Sequence, residues 1–71
     1  MINTLKIKEK MDALNLKQKE IAENIGIAGS SLSLKIHNKR PMNLNEANIL
    51  ADILEIKTDE IKEYFFANNI A

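Results

Sequence analysis

Gly26 separates two short runs of helical apolar spacing inside QKEIAENIGIAGSSLSLKIHNKR, residues 18–40. Before it, Ile21, Ala22 and Ile25 recur at i, i+1 and i+4; after it, Leu32 and Ile36 recur at i and i+4. Glycine takes the left-handed conformation at a helix C-terminus without a steric penalty, so it suits the end of the first run. The spacing predicts helices from about Lys17 to Ile25 and from about Gly29 to Ile36. Two helices of this length around a glycine turn make a helix-turn-helix. Ala22 sits where they cross, a place that needs a small side chain, and Ile21, Ile25, Ile27 and Leu32 fix the crossing.

The flanks read as helices too. Asn3 or Thr4 can cap a first helix that buries Ile7, Met11 and Leu14, and Asn15 breaks it. After HNKRP, Asn43 and Glu46 form an N-x-x-E start resembling a capping box. The helix behind it offers Leu44, Ala47, Leu50, Ala51 and Leu54. Thr58, with Asp59 and Glu60 behind it, caps and charges a fifth helix that offers Ile61 and Phe65. Alternation of the strand kind is short-lived. The expected architecture is all-α: one compact five-helix domain over residues 1–71, with the helix-turn-helix at about 17–36 and a fraying tail at about 67–71.

The chain has 71 residues and no cysteine, which excludes disulfides and thiolate metal sites and fits a reducing cytoplasm. No apolar run approaches the roughly 18 residues that a membrane span needs, and the N-terminus lacks a signal-like apolar stretch. Net charge is zero, but its distribution is not even. Residues 1–42 carry eight cations against four carboxylates, and residues 43–71 carry two against six. The first half is a cationic surface suited to a polyanion.

The second helix of the pair would leave Gly29, Ser30, Ser31, Ser33 and Leu34 bare. A major groove about 12 Å wide admits a helix, and small hydroxyl side chains let it come close to base edges. Serine can donate to or accept from a base, and leucine can cover a thymine methyl. These five are the candidate base-reading residues. Lys17, Gln18, Lys19, Lys35, His37, Asn38, Lys39 and Arg40 are the candidate phosphate contacts, which orient a protein on DNA and make its affinity salt-dependent.

KQKEIAENIGIAGSSLSLKIHNKR resembles the pattern T-Q-x-x-L-A-x-x-L-G-I-S-x-S-T-I-S-R of Cro/repressor-class helix-turn-helix proteins. The remainder, RPMNLNEANILADILEI…DEIKEYFF, is similar to the small phage Cro-like proteins. The resemblance spans roughly residues 5–66. It implies a lambda-repressor-like fold, double-stranded operator DNA as partner, and recognition by the residues matching Gly29 to Leu34. It also implies a homodimer on a palindromic operator and a repressor's role. Lys17 and Ala28 stand where the family's pattern has capping threonine and serine. Gly29 and Leu34 stand where long polar base readers are common, so the expected reading leans on shape, water and apolar contact.

Each assignment has a plainer counterpart. Ser30, Ser31 and Ser33 could be a solvated helix face, and Lys35 to Arg40 an ordinary loop run. His37 has no second histidine or cysteine to share a metal, and the serines have no assignable base or oxyanion site. No enzyme, cofactor or small-molecule ligand is expected. Leu5, Leu14, Tyr64, Phe66 and Ile70 are apolar residues in excess of what so small a core needs; Tyr64, Phe66 and Ile70 are the candidates for a dimer seam. The competing reading is a helical protein-interaction module, antirepressor-like or antitoxin-like, that keeps the helix-turn-helix shape.

Overall fold

The computed structural model describes residues 1–67 and contains five α-helices: α1 (Thr4–Ala13), α2 (Gln18–Ile25), α3 (Gly29–Ile36), α4 (Leu44–Ile53) and α5 (Ile61–Phe65). A 3₁₀ turn, Thr58–Glu60, leads into α5. No strand occurs among the described residues, as the sequence led us to expect. Ile70 and most of the expected tail lie outside the described residues.

One core draws on every helix. Ile7, Ile21, Leu32, Ile36, Leu50 and Leu54 are fully enclosed, and Met11, Ala22, Ala51, Tyr64 and Phe65 complete it. Burying one such aliphatic side chain is worth about 1.5–3 kcal/mol, so the helical spacing of these positions holds the short helices together. Two residues were misplaced by periodicity. Leu44, expected on the inner face of α4, is the first residue of that helix and stands 68% exposed. Ile2, which no helical pattern flagged, is buried.

The ends of the helices repeat one solution. Asn15, Gly26, Asn38 and Glu55 all have positive φ, between 55° and 88°. Beyond each, the next residue's N–H closes the helix: Leu16 onto Met11, Ile27 onto Ala22, Lys39 onto Leu34 and Ile56 onto Ala51, at 2.8–3.0 Å. This is the Schellman closure, which satisfies carbonyls that would otherwise be orphaned.

The helix starts are less uniform. The Asn3 side chain caps α1 by accepting the Lys6 N–H at 3.2 Å. Asn43 and Glu46 form the expected reciprocal capping box, at 2.8 and 3.0 Å. Thr58 is not a cap. It lies inside the 3₁₀ turn, whose start is held by the Glu60 carboxylate accepting the Lys57 N–H at 3.4 Å. Neither Lys17 before α2 nor Ala28 before α3 makes a side-chain capping bond. Asn15 does not compensate, because it terminates α1.

The two ends of the described chain meet beside α3. The Asn3 N–H donates to the Tyr64 carbonyl at 2.8 Å and the Ala67 N–H to the Met1 carbonyl at 3.1 Å. Lys6 pairs with Glu63 at 2.8 Å, and its ammonium stands 5.1 Å from the centre of the Tyr64 ring. The pairing holds the Glu63 carboxyl below its ordinary pKa and raises that of Lys6.

Candidate nucleic-acid interface

The α2–α3 pair is built around a close approach. Ala22 is enclosed at the crossing, and both Gly26 and Ile27 donate to its carbonyl, at 2.9 and 3.0 Å. Gly26, at φ +88°, supplies the turn that swings α3 across α2. The Gln18 amide bridges the pair by donating Nε2–H to the Gly29 carbonyl at 3.3 Å. α3 is thus tied at its first residue to the first residue of α2.

Leu32 and Ile36 anchor α3 to the core. At 3.6 residues per turn, Leu34 falls opposite the midpoint between them, flanked by Ser30 and Ser31. Leu34 is 37% exposed, an apolar side chain at the crest of a helix otherwise carrying hydroxyls. Ser30 is exposed, while Ser31 and Ser33 are half-buried. Gly29 lies towards the core side, yet a Cβ placed on it would meet nothing within 4 Å. The serine–leucine surface read from sequence is therefore assembled on one helix, with Gly29 at its edge.

The residues beyond α3 divide into engaged and free. Lys35 reaches back to α4 and pairs with the Glu46 carboxylate, the two side chains being 13% and 10% exposed. The lysine bond, with the capping bond from the Asn43 N–H, holds the Glu46 carboxyl below its ordinary value of 4.5. Asn38 clamps the N-terminal segment: its Oδ1 accepts the Ile2 N–H at 2.8 Å and its Nδ2 donates to the Ile2 carbonyl at 2.9 Å. His37 Nδ1 lies 2.8 Å from the Ser33 carbonyl. Thr4 adds a hydroxyl bond to the Ile36 carbonyl at 2.7 Å. Lys35 and Asn38, placed on phosphate by sequence reasoning, thus brace the end of α3. Periodicity carries no information about such long-range partners, and only the Glu46 cap was visible beforehand.

Lys17 and Lys19 are exposed near the start of α2, and Lys39 and Arg40 are exposed beyond α3. Arg40 folds back along the helix, its Nη1 donating to Ser31 Oγ at 3.4 Å.

The dimer candidates separate sharply. Tyr64 is 8% exposed, its ring packed in the core beneath Lys6, so the expectation that it forms a seam is corrected. Phe66 is 53% exposed beside an open cleft of about 460 Å³ that Met1, Ile2, Pro41 and Met42 also line. No three His, Cys, Asp or Glu side chains converge as a metal site among the described residues. No helix among them is long and apolar enough to cross a membrane.

The family model of the Cro/C1-type helix-turn-helix DNA-binding domain matches residues 6–67. The chain belongs to this family. It is a DNA-binding domain of the regulator type, and α3 is the second helix of its helix-turn-helix. No curated protein and no solved structure matches the chain.

Proposed function

We propose that this Cro/C1-type domain is a sequence-specific repressor of the phage or prophage Cro-like kind, acting in the cytoplasm on a palindromic operator as a dimer. The observation that carries the reading is the crest of α3. Small hydroxyls and one leucine stand proud of a helix that is anchored at both ends, with free cations on either side. A rigid, slim helix of this kind enters the major groove without the entropic cost of ordering long side chains.

Ser30, Ser31, Ser33 and Leu34 face base edges in this reading, and Gly29 stands at the edge of that surface. Lys17, Lys19 and Lys39 meet phosphate on the flanks, Gln18 offers the N-terminal turn of α2, and Arg40 adds its charge to the same face. Two copies related by a two-fold axis place their recognition helices about 34 Å apart in successive grooves. A protein so seated over a promoter excludes polymerase. The exposed Phe66 ring supplies apolar surface on which two copies meet.

Selection from a random-sequence duplex pool at several salt concentrations tests this. The expected result is a two-fold symmetric site whose affinity falls steeply with salt. With ~4 phosphates neutralised per subunit, the log–log slope is near −7 for the dimer. Salt-sensitive binding with no enriched sequence would reduce the protein to a nonspecific binder. No retention on DNA even at low salt would favour the protein-interaction reading, to which the short side chains of α3 and the acidic second half of the chain lend support.

A further inference from the structure

The crest of α3 lacks any side chain able to make two hydrogen bonds to one base. Among the long polar side chains in its last turn and beyond it, Lys35 is spent on Glu46, Asn38 on the Ile2 backbone, and His37 holds Nδ1 against the Ser33 carbonyl. Lys39 and Arg40 remain exposed. Of these, Arg40 alone is placed on the recognition surface itself: it turns back over nine residues so that Nη1 reaches Ser31 Oγ at 3.4 Å.

We infer that Arg40 is a specificity-determining residue that reads a guanine in the major groove, its guanidinium delivered to the base edge from the loop beyond α3. The inference rests on the operator reading given above. Guanine presents O6 and N7 side by side, and the rigid planar fork of arginine is pre-organised to donate to both, where a flexible ammonium must be ordered first. Ser31 accepts one guanidinium N–H and leaves the others for the base. The hydroxyl thereby limits the arms that a free arginine would explore, so less freedom is lost on binding. Pro41 next in the chain fixes its own φ and disfavours helical backbone at Arg40, which narrows the positions open to the root of the side chain. A side chain from the loop thus supplies the strong polar contact that the residues of the helix do not.

The experiment compares wild type, Arg40→Ala and Arg40→Lys by selection from the random pool, then by titration on the enriched duplex. Arg40 is exposed and outside the core, so both variants fold. The expected result is loss of a guanine preference at one position of each half-site in Arg40→Ala and a weaker preference at the same position in Arg40→Lys, with the other positions unchanged. Replacing that guanine by 7-deazaguanine, which lacks the N7 acceptor, weakens wild-type binding about tenfold and leaves Arg40→Ala nearly unaffected. Unchanged base preferences in Arg40→Ala, with uniform weakening and a salt slope lower by about one per subunit, would make Arg40 a phosphate contact and overturn the assignment. Failure of the wild type to enrich any site would instead overturn the operator reading, and this inference with it.

Discussion

Leu34 is the residue whose chemistry is most exposed to test. It is an apolar side chain on a surface otherwise of hydroxyls and cations, with its back to Leu32 and Ile36 and no core of its own to join. A leucine so placed gains free energy only by meeting another apolar group, and the one such group in the major groove is the thymine C5 methyl. Each half-site is therefore expected to hold a thymine under Leu34. Replacing it by deoxyuridine, which differs by that methyl alone, weakens binding by about 0.8 kcal/mol, or roughly fourfold, per half-site. Leu34→Ala abolishes the difference between the two bases. Equal affinity of the wild-type protein for thymine and uracil at every position would remove Leu34 from the reading surface. The crest was legible in sequence because an amphipathic helix declares its buried side, and Leu32 and Ile36 are enough to orient eight residues. Lys35 and Asn38 were not, since partners 11 and 36 residues away, on other elements of the fold, leave no local pattern. Tyr64 was misread for a related reason: α5 has only five residues, too few for periodicity to separate its inner face from its outer one.

At the scale of the element, the four Schellman closures show what local sequence does and does not settle. Gly26 and Asn15 could be read as helix ends because glycine and asparagine tolerate the left-handed conformation. Glu55 carries no such signal, yet it holds φ 56° at the end of α4. The reason is tertiary. Ile56, immediately after it, is buried, and its N–H closes onto Ala51, so packing of Ile56 forces its neighbour into a strained region. Glu55 is exposed, and no side-chain bond to another of the described residues repays that strain. Glu55→Gly is therefore expected to stabilise the domain by about 1 kcal/mol, since a β-carbon costs about 1–2 kcal/mol in this conformation and glycine returns part of that through the unfolded chain. In a chain of this length the midpoint of thermal unfolding rises by about 4–8 °C. A midpoint unchanged or lowered in Glu55→Gly would mean that Glu55 makes a compensating interaction. α3 ends by the same closure, but with the exposed Lys39 where the other three place Leu16, Ile27 and Ile56. α3 gives up the apolar clasp at its end and relies on bonds from elsewhere in the chain.

Those bonds make the position of α3 a property of the whole molecule. Thr4 from α1 holds the Ile36 carbonyl, Asn38 holds Ile2, and Lys35 holds the first turn of α4 through Glu46. Glu46 does three things at once: it caps α4, complements the positive end of that helix, and neutralises an enclosed ammonium. Because its folded pKa lies below the ordinary 4.5, chiefly through the bond from Lys35, its contribution to stability is complete above that value. The contribution is lost as pH falls through the depressed value, where the unfolded chain already binds the proton and the folded one must follow. Glu46→Gln keeps the volume and a hydrogen-bonding oxygen but leaves Lys35 without its countercharge. It is expected to cost about 1–3 kcal/mol near neutrality, a large share of the stability of so small a domain. Denaturant titrations of wild type and variant across pH 7 to 2 distinguish this from a simple packing defect. The wild type loses stability faster below pH 4.5, so the gap between the two curves narrows on the acid side. A gap of constant width from neutral to acid would mean that the carboxylate's charge contributes nothing and that Glu46 acts only as a cap. Where the gap does narrow, the protection factor of the Lys39 amide in the wild type, its exchange rate taken relative to the unstructured amide at the same pH, should fall over the same range, because the closure of α3 stands directly behind the pair that acid breaks.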